Sequence, residues 1–196
     1  MQQKSRSDLL RTPGMLGLLM AAGASQAAEV HGLLKLGRDV GGDTLTSSTL
    51  TFPNGSSSSI KANEGSYIGG GVGLVEVAKD VDVELTLAWK WAFITASNGD
   101  VTFTRFPLEA LVFYKFEKVR LGGGLAYHID PKLKGSGDFS GLDIGYDNAL
   151  GGVLQADYRI TDKMNVGIRY TSVDYKVGNS PAAKGNGAGI TFSASF

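Results

Sequence analysis

The sequence predicts an all-β protein, an eight-stranded antiparallel up-and-down barrel that crosses a membrane. Three observations lead to this fold class. Apolar and polar residues alternate with a period of two through eight segments, as in strands with one apolar face. The connections between these segments are alternately short and long. Aromatic residues lie near the segment ends, and the chain itself ends on an aromatic residue, Phe196.

The composition agrees with a β protein and excludes several kinds of site. The 196 residues allow one domain or two small ones, and the 28 glycines are about twice the usual share of ~7%. The chain has no cysteine, which excludes disulfides, zinc–cysteine sites and thiol catalysis. Its formal net charge is zero, so we predict no nucleic-acid partner.

The N-terminal residues have the pattern of a secretory signal peptide. Three basic residues precede a short apolar run at 15–24, and small residues, Ser25 and Ala27, stand at the −3 and −1 positions of a cleavage site. We therefore predict a signal peptide over 1–27 and a barrel domain over 28–196. An amphipathic or disordered leader is the alternative. No other stretch approaches the roughly 20 apolar residues of a membrane helix.

The first two predicted strands are 30–38 and 67–77, the second of them rich in glycine. In the first strand, apolar or small residues stand at the even positions from Val30 to Leu36, and the second contains Gly69, Gly70, Gly71 and Gly73. A long polar segment, 39–65, separates the two strands. It contains the turn dipeptide Asn54–Gly55, which predicts a protruding hairpin. A disordered loop is the alternative for this segment.

The next three predicted strands carry the clearest alternation. In 83–93 and in 119–129 the odd positions are apolar or glycine, and in 102–116 the even positions are apolar or small from Phe106 onwards. Leu111 and Phe113 are exceptions, because they lie on the charged face of their strand. Strands of ten or more residues are longer than the usual ~5–6 of globular proteins.

The last three predicted strands are 149–160, 164–170 (with continuation to 176 as an alternative) and 186–196. The final strand is fully amphipathic, with apolar residues at even positions from Ala188 to Phe196 and Gly, Thr or Ser between them. An even number of strands places both chain ends on the same side of the membrane. A sheet in lipid must close, because unpaired edge groups cost several kcal/mol each. The last strand must therefore pair with the first.

The connections predict the orientation of the barrel. Three are short (78–81, 117–118 and 161–163) and four are longer (39–65, 95–101, 130–148 and 177–185). Bacterial outer-membrane barrels have short periplasmic turns and long extracellular loops. We therefore expect the short connections in the periplasm and the long ones outside the cell.

The period alone cannot decide which face meets lipid, since a soluble barrel of lipocalin type would show the same alternation with the faces exchanged. Aromatic residues near strand ends favour lipid, because such rings form girdles at membrane interfaces. The predicted girdle comprises Trp89, Trp91, Phe93, Phe106, Tyr114, Phe116, Tyr127, Tyr158, Tyr170 and Phe196. Charges among small residues on the other face predict a lumen charge network of Glu84, Lys90, Arg105, Glu109, Lys115, Arg120, Asp157, Arg159 and Arg169.

These features resemble the small eight-stranded outer-membrane β-barrel family, which includes the OmpA membrane domain, OmpX, OmpW and opacity-like proteins. The resemblance covers the mature chain and rests on architecture. It implies location in the Gram-negative outer membrane, with lipid and lipopolysaccharide as neighbours. It also implies that the barrel-assembly machinery reads the C-terminal strand through an aromatic signature, here Ile190, Phe192, Ala194 and Phe196.

Several residues could serve in catalysis or metal binding, but each also has a purely structural explanation. His128 lies near Asp130, and a lipid A deacylase of the PagL type would place a hydrolytic His there. However, the His-x-Ser spacing of that family is absent, because position 130 is Asp. The alternative is a His that completes an interior hydrogen-bond network. Asp138, Asp143, Asp147 and Asn148 form an acidic segment that could bind calcium, although their order matches no EF-hand pattern, and a solvated loop is the alternative. We predict no cofactor, no metal and no enzymatic activity.

Three functions are therefore compared. The first is a structural or surface-interaction protein with a lumen plugged by its charges and an extracellular ligand of unknown identity. The second is a small pore or passive transporter for small solutes. The third is a lipid-modifying outer-membrane enzyme, a lipid A hydrolase using His128. The mixed signs of the lumen charges favour the plug over the pore, because they can neutralise each other across neighbouring strands.

Overall fold

The computed structural model describes residues 29–45, 50–51, 57–96 and 99–196, and the predicted signal peptide lies outside them. The strands, in chain order, are β1 (Glu29–Gly41), β2 (Leu50–Thr51), β3 (Ser57–Ser58), β4 (Gly65–Ala78), β5 (Val81–Ala96), β6 (Gly99–Lys115), β7 (Val119–Gly135), β8 (Asp143–Gly145), β9 (Ala149–Thr161), β10 (Met164–Tyr175), β11 (Ala183–Lys184) and β12 (Gly187–Ser195). One short 3-10 helix covers Gly137–Phe139.

Eight long strands form a closed barrel in which every neighbouring pair is antiparallel. Their order around the barrel is β1, β4, β5, β6, β7, β9, β10 and β12. β12 then pairs with β1, from Leu33 opposite Ser195 to Gly41 opposite Gly187. The predicted eight-stranded up-and-down barrel is confirmed, and so is the pairing of its last strand with its first.

The two faces of the barrel are inverted relative to a soluble protein. Leu154 and Ile168 on the outer face are each 67% exposed, whereas Arg105 in the interior is 0% exposed. Monomeric soluble proteins rarely expose a continuous apolar surface, and they rarely bury charges. A wide outer band of Leu, Val, Ile and aromatic side chains is the surface that hydrocarbon requires. In the part of the chain that the structure describes, no helix is long and apolar enough to cross a membrane.

Glu29, the C-terminal Phe196 and three short turns (79–80, 116–118 and 162–163) lie at one end of the barrel, here called the turn end. The opposite end, called the loop end, carries the long connections. One expected long loop is absent: residues 95–101 are mostly strand, because Ala96 pairs with Gly99 across a two-residue connection. The prediction of a loop there was wrong. The paired residues extend the β5–β6 hairpin.

The predicted loop 130–148 also begins with a strand. β7 continues to Gly135 and is then paired by β8, with Leu133 opposite Ile144. Asp130 has a φ of 49°, and the β6–β7 register shifts between Thr104 and Phe106. This is a β-bulge, which changes the phase of the alternation and tolerates the proline that follows. The Asp–Pro pair therefore marks a bulge, although the sequence suggested a strand end.

The strands at the loop end are longer than the membrane requires. β6 and β7 each have 17 residues, whereas a tilted strand crosses the hydrocarbon with about 9–11. β5, β6, β7 and β8 therefore project beyond the bilayer as a small sheet. Within the 39–65 segment, β2 pairs with β3, Leu50 opposite Ser58. This pairing confirms the predicted hairpin, and its Asn54–Gly55 tip lies outside the described residues.

Candidate functional site

The lumen of the barrel is filled by two ion-pair clusters below an apolar layer. The cluster nearer the turn end is centred on Arg120 of β7. Its guanidinium lies 2.5 Å from Glu84 Oε1 and donates to Asp157 Oδ2 at 2.8 Å, so two neighbouring carboxylates neutralise it. The guanidinium carbon also lies 4.1 Å from the centre of the Phe113 ring. This ring occupies the space that a side chain at Gly122 would fill.

Phe113 and Leu111, the two exceptions to the alternation in the sequence, form a small apolar cluster inside the lumen. They pack with Ala126 and Val153, and all four residues are buried. The Phe113 ring supports the Arg120 guanidinium through a cation–π contact, which gains strength when both partners are desolvated. The interior of an eight-stranded barrel has only enough width for such side chains.

The second cluster lies in the middle of the lumen and contains Arg169 and Glu109. Arg169 binds the Glu109 carboxylate with both terminal nitrogens, and the Tyr67 hydroxyl lies 3.3 Å from Nη1. Lys35 of β1 joins the two clusters, because its Nζ is 3.4 Å from Glu84 and 3.6 Å from Glu109. The network is therefore continuous along the barrel axis.

A lysine and an arginine at the upper edge of the network hold a segment of the first loop inside the barrel. Lys90 Nζ lies 2.5 Å from Asp39 Oδ2 and donates to Asn63 Oδ1 at 3.1 Å. Arg105 Nη2 donates to the Glu64 carbonyl at 2.8 Å. Residues 60–64 therefore form a plug segment, in which Asn63 is completely buried.

Above the network, the loop end is sealed by an apolar group that we call the mouth cluster. Its buried members come from β5, β6, β7, β9, β10 and the plug segment: Ile60, Ala62, Ala92, Val101, Phe103, Leu133, Ala149, Val173 and Tyr175. Arg105 stacks on Phe103, 4.3 Å from the ring centre, so it bridges the apolar and charged layers. Tyr146 packs against the mouth cluster, and this burial raises the pKa of its hydroxyl.

The structure places the nine predicted lumen charges in three different settings. Seven lie buried inside the barrel: Glu84, Lys90, Arg105, Glu109, Arg120, Asp157 and Arg169. Lys115 lies at the turn end, where its Nζ is 3.0 Å from Asp82 and 3.7 Å from Glu76. Arg159 also faces the turn end and is ion-paired with none of the carboxylates that the structure describes.

Several interior residues were missed at the level of sequence. Lys35 lies on the polar face of the first strand, so its alternation could have identified it. Asp39 was assigned to a loop, because the predicted strand ended one residue earlier, whereas β1 continues to Gly41. Tyr67 and Gln155 carried no charge signal, but both are buried beside the network.

The predicted girdle residues lie on the outer face. Nine of the ten are exposed and Trp91 is half-buried, its ring centre 4.5 Å from that of Trp89. Tyr114 and Phe116 form a second pair near the turn end, with ring centres 5.1 Å apart. In the C-terminal strand, Ile190, Phe192, Ala194 and Phe196 also take the outer face, with Phe192 and Ala194 half-buried.

The geometry around His128 differs from that of a hydrolytic site. His128 is 1% exposed, and its Nδ1 lies 2.6 Å from the Tyr175 hydroxyl below the mouth cluster. Asp130 is exposed on the bulge and pairs with Lys132 at 3.0 Å. The two residues therefore lie on different sides of the sheet. This arrangement corresponds to a His within an interior hydrogen-bond network.

The acidic segment after β7 does not assemble a cation site in the described residues. No group of three or more His, Asp or Glu side chains there is arranged to hold a metal ion. Asp147 accepts a hydrogen bond from the Gly178 backbone at 3.1 Å, so it ties one loop to another.

Two cavities lie along the barrel axis. The first, in the middle of the network, measures about 10 Å³ and is lined by Lys35, Asp39, Tyr67, Lys90, Glu109, His128 and Arg169 among others. A space of that size holds about one water molecule. The second, about 360 Å³, lies at the turn end below Arg120. The described lumen is thus closed towards the loop end and open towards the turn end.

Comparisons with known proteins agree with this architecture. A search of curated proteins found no match. Among solved structures, the chain is similar to Ail, the attachment invasion locus protein of Yersinia pestis, in complex with the heparin analogue sucrose octasulfate. That match has 14% identity and a TM-score of 0.55, and it covers 86% of this chain and 97% of Ail.

A second similar structure is Neisserial surface protein A, with 14% identity and a TM-score of 0.46, covering 85% of this chain and 97% of that one. The sequence also matches the family described as "Outer membrane protein beta-barrel domain" over residues 15–196. The chain belongs to this family of outer-membrane β-barrels.

Proposed function

We propose that this outer-membrane barrel is a non-enzymatic protein with a structural or surface-interaction role and a lumen that does not conduct. The observation that carries the proposal is the closed interior. The plug segment and the mouth cluster cover a continuous ion-pair network whose internal cavity is about 10 Å³. A solute would have to displace ion pairs and an apolar layer together, which favours a plug over a pore.

The surface-interaction role is supported by the sheet that projects beyond the membrane. The register of β4 against β5 ends at Ser66 and Trp91, whereas β5 continues to Ala96. Along this part of β5, the described residues provide no backbone partner on the side away from β6. An unpaired strand edge can bind an extended segment of another protein by adding a strand.

The charge of the loop end defines the class of partner that we propose. Eight acidic and six basic side chains are exposed or half-buried there: Asp43, Glu64, Asp100, Asp130, Asp138, Asp143, Asp147 and Asp174 against Arg38, Lys61, Lys132, Lys134, Lys176 and Lys184. The excess of acid favours a protein with a basic surface over a sulfated polyanion. Although Ail was solved with a heparin analogue, this chain is therefore expected not to bind heparin.

The remaining assignments are also proposals. Residues 1–27 would direct export, and the strand ending at Phe196 would be the signal for the barrel-assembly machinery. The apolar band and the girdles would place lipid and lipopolysaccharide around the barrel. The positions of the C-terminal side chains on the lipid face and the closure of β12 on β1 support these roles.

Conductance across a planar bilayer tests the central proposal. The refolded protein should insert without discrete openings, while a general porin in the same bilayer gives stepwise current. Regular openings of the wild-type protein would reject the plugged lumen and favour the pore. A heparin column at low ionic strength tests the partner class, and retention that salt reverses would contradict it.

A further inference from the structure

One compartment of the barrel remains open, a pocket at the turn end that we call the turn-end vestibule. Its volume is about 360 Å³, which lies within the usual range of small-molecule sites. Residues from all eight barrel strands line it. The polar side chains that matter here are Lys115, Arg120, Arg159, Asp162, Lys163 and Asn165.

The turn-end vestibule is blind. Its inner end is formed by Arg120, which is held by Glu84 and Asp157. Beyond that ion pair lie the central network and the mouth cluster, which closes the loop end. A ligand can therefore reach this pocket only from the turn end, the periplasmic side of an outer-membrane barrel.

The charges that line the pocket are not all neutralised. Arg120 is paired with Glu84, and Lys115 is paired with Asp82. Arg159 and Lys163 are paired with no carboxylate that the structure describes, and Asp162 is the one lining carboxylate without an ion pair there. The uncompensated charge of the lining is therefore positive.

The backbone of Arg159 and that of Lys163 each form a hydrogen bond with a residue outside the β9–β10 hairpin. The Arg159 N–H donates to the Lys118 carbonyl at 2.7 Å, and the Lys163 carbonyl accepts from the Ser195 N–H at 2.8 Å. Arg159 lies opposite Asn165 in the β9–β10 ladder, and that amide also lines the pocket. These hydrogen bonds fix the backbone from which the Arg159 and Lys163 side chains extend into the pocket.

We propose that the turn-end vestibule binds a phosphate-bearing anion, with Arg159 and Lys163 as its cationic contacts. The planar guanidinium matches two oxygens of a phosphate, and the ammonium supplies a compact second charge. The phosphate could belong to a soluble periplasmic compound or to the headgroup of an anionic phospholipid at the same membrane surface. This site is independent of the loop surface and of any partner bound there.

The experiment titrates inorganic phosphate into the folded protein in phosphatidylcholine nanodiscs at constant ionic strength. The side-chain NMR signal of Arg159 is followed. We expect a saturable shift with a Kd of about 1 mM or lower. The Arg159→Gln/Lys163→Gln double variant, observed through Asn165, should bind at least roughly tenfold more weakly. Lys79→Gln is the matched control, because it removes an exposed cation from the same end outside the pocket.

A second arm distinguishes the two sources of phosphate. If phosphatidylglycerol nanodiscs reproduce the shift without added phosphate, the ligand is the lipid headgroup; if they do not, it is a soluble compound. Equal affinity of the double variant and the wild type would overturn the proposal, as would an equal loss in Lys79→Gln. A shift that never saturates would also overturn it. The different gel mobility of heated and unheated samples verifies that each variant is folded.

Discussion

Gly32 and Phe196 close the barrel together, because their backbones exchange two hydrogen bonds and the Phe196 ring covers Gly32. The Gly32 N–H donates to the Phe196 carbonyl at 2.9 Å, and the Phe196 N–H donates to the Gly32 carbonyl at 3.1 Å. A Cβ at position 32 would lie 2.5 Å from Cε2 of the ring. The last residue of the chain thus fills a space that only glycine leaves open.

Substitution of Gly32 by valine should destabilise the closure of the barrel. The added side chain must displace the Phe196 ring, which is 75% exposed and can move aside, so we expect a loss at the low end of the about 1–3 kcal/mol that overpacking costs in a core. Urea unfolding in lipid vesicles measures the loss. Gly141→Val is the control, since a Cβ there meets no atom within 4 Å. In a Gly32→Val/Phe196→Ala double variant, the two losses should be less than additive. Full additivity would show that the ring and the glycine are not coupled.

Removal of one partner of the Lys90–Asp39 pair should destabilise the protein strongly. Both side chains are about 2% exposed, so Lys90→Met leaves a buried carboxylate without its main partner. We expect a loss of about 3–5 kcal/mol in the free energy of unfolding. A Lys90→Met/Asp39→Leu variant should recover much of it, because neither charge then remains unpaired. If the double variant is no more stable than Lys90→Met, the pair does not act as a unit.

His128→Ala should reduce stability and leave lipid A unchanged. The substitution removes the hydrogen-bond partner of the buried Tyr175 hydroxyl, which costs about 1–3 kcal/mol. Mass spectra of lipid A from cells that produce the wild type or the variant test the enzymatic alternative. A lipid A species that depends on His128, and is also absent from cells without the protein, would establish the hydrolase.

The two ends of the barrel should be accessible from opposite sides of the membrane. Because the chain has no cysteine, a single introduced thiol reports its own position. Lys134→Cys at the loop end should react with a membrane-impermeant maleimide on intact cells, whereas Lys79→Cys at the turn end should react only after the outer membrane is opened. The reverse pattern would invert the orientation.

The alternation in the sequence predicted most of the strands, because the period of two in a strand is a local property of the backbone. It also identified seven of the buried lumen charges, since these residues stand on the polar face of long strands. Phe113 shows the limit of the pattern. This apolar residue lies on the charged face of its strand. It packs inside the lumen, because Gly122 leaves room for its ring.

The pairing of the charges and the closure of one end of the lumen depend on the tertiary structure. Lys90 and Asp39 are 51 residues apart, and Arg169 and Glu109 are 60 residues apart. These pairs depend on the stagger of strands around the closed barrel, which no local pattern encodes. The bulge at Asp130 and the inward fold of the plug segment depend on the same closure. Arg159 looked equivalent to the other lumen charges in the sequence, but it faces the open turn-end vestibule and is paired with no carboxylate that the structure describes.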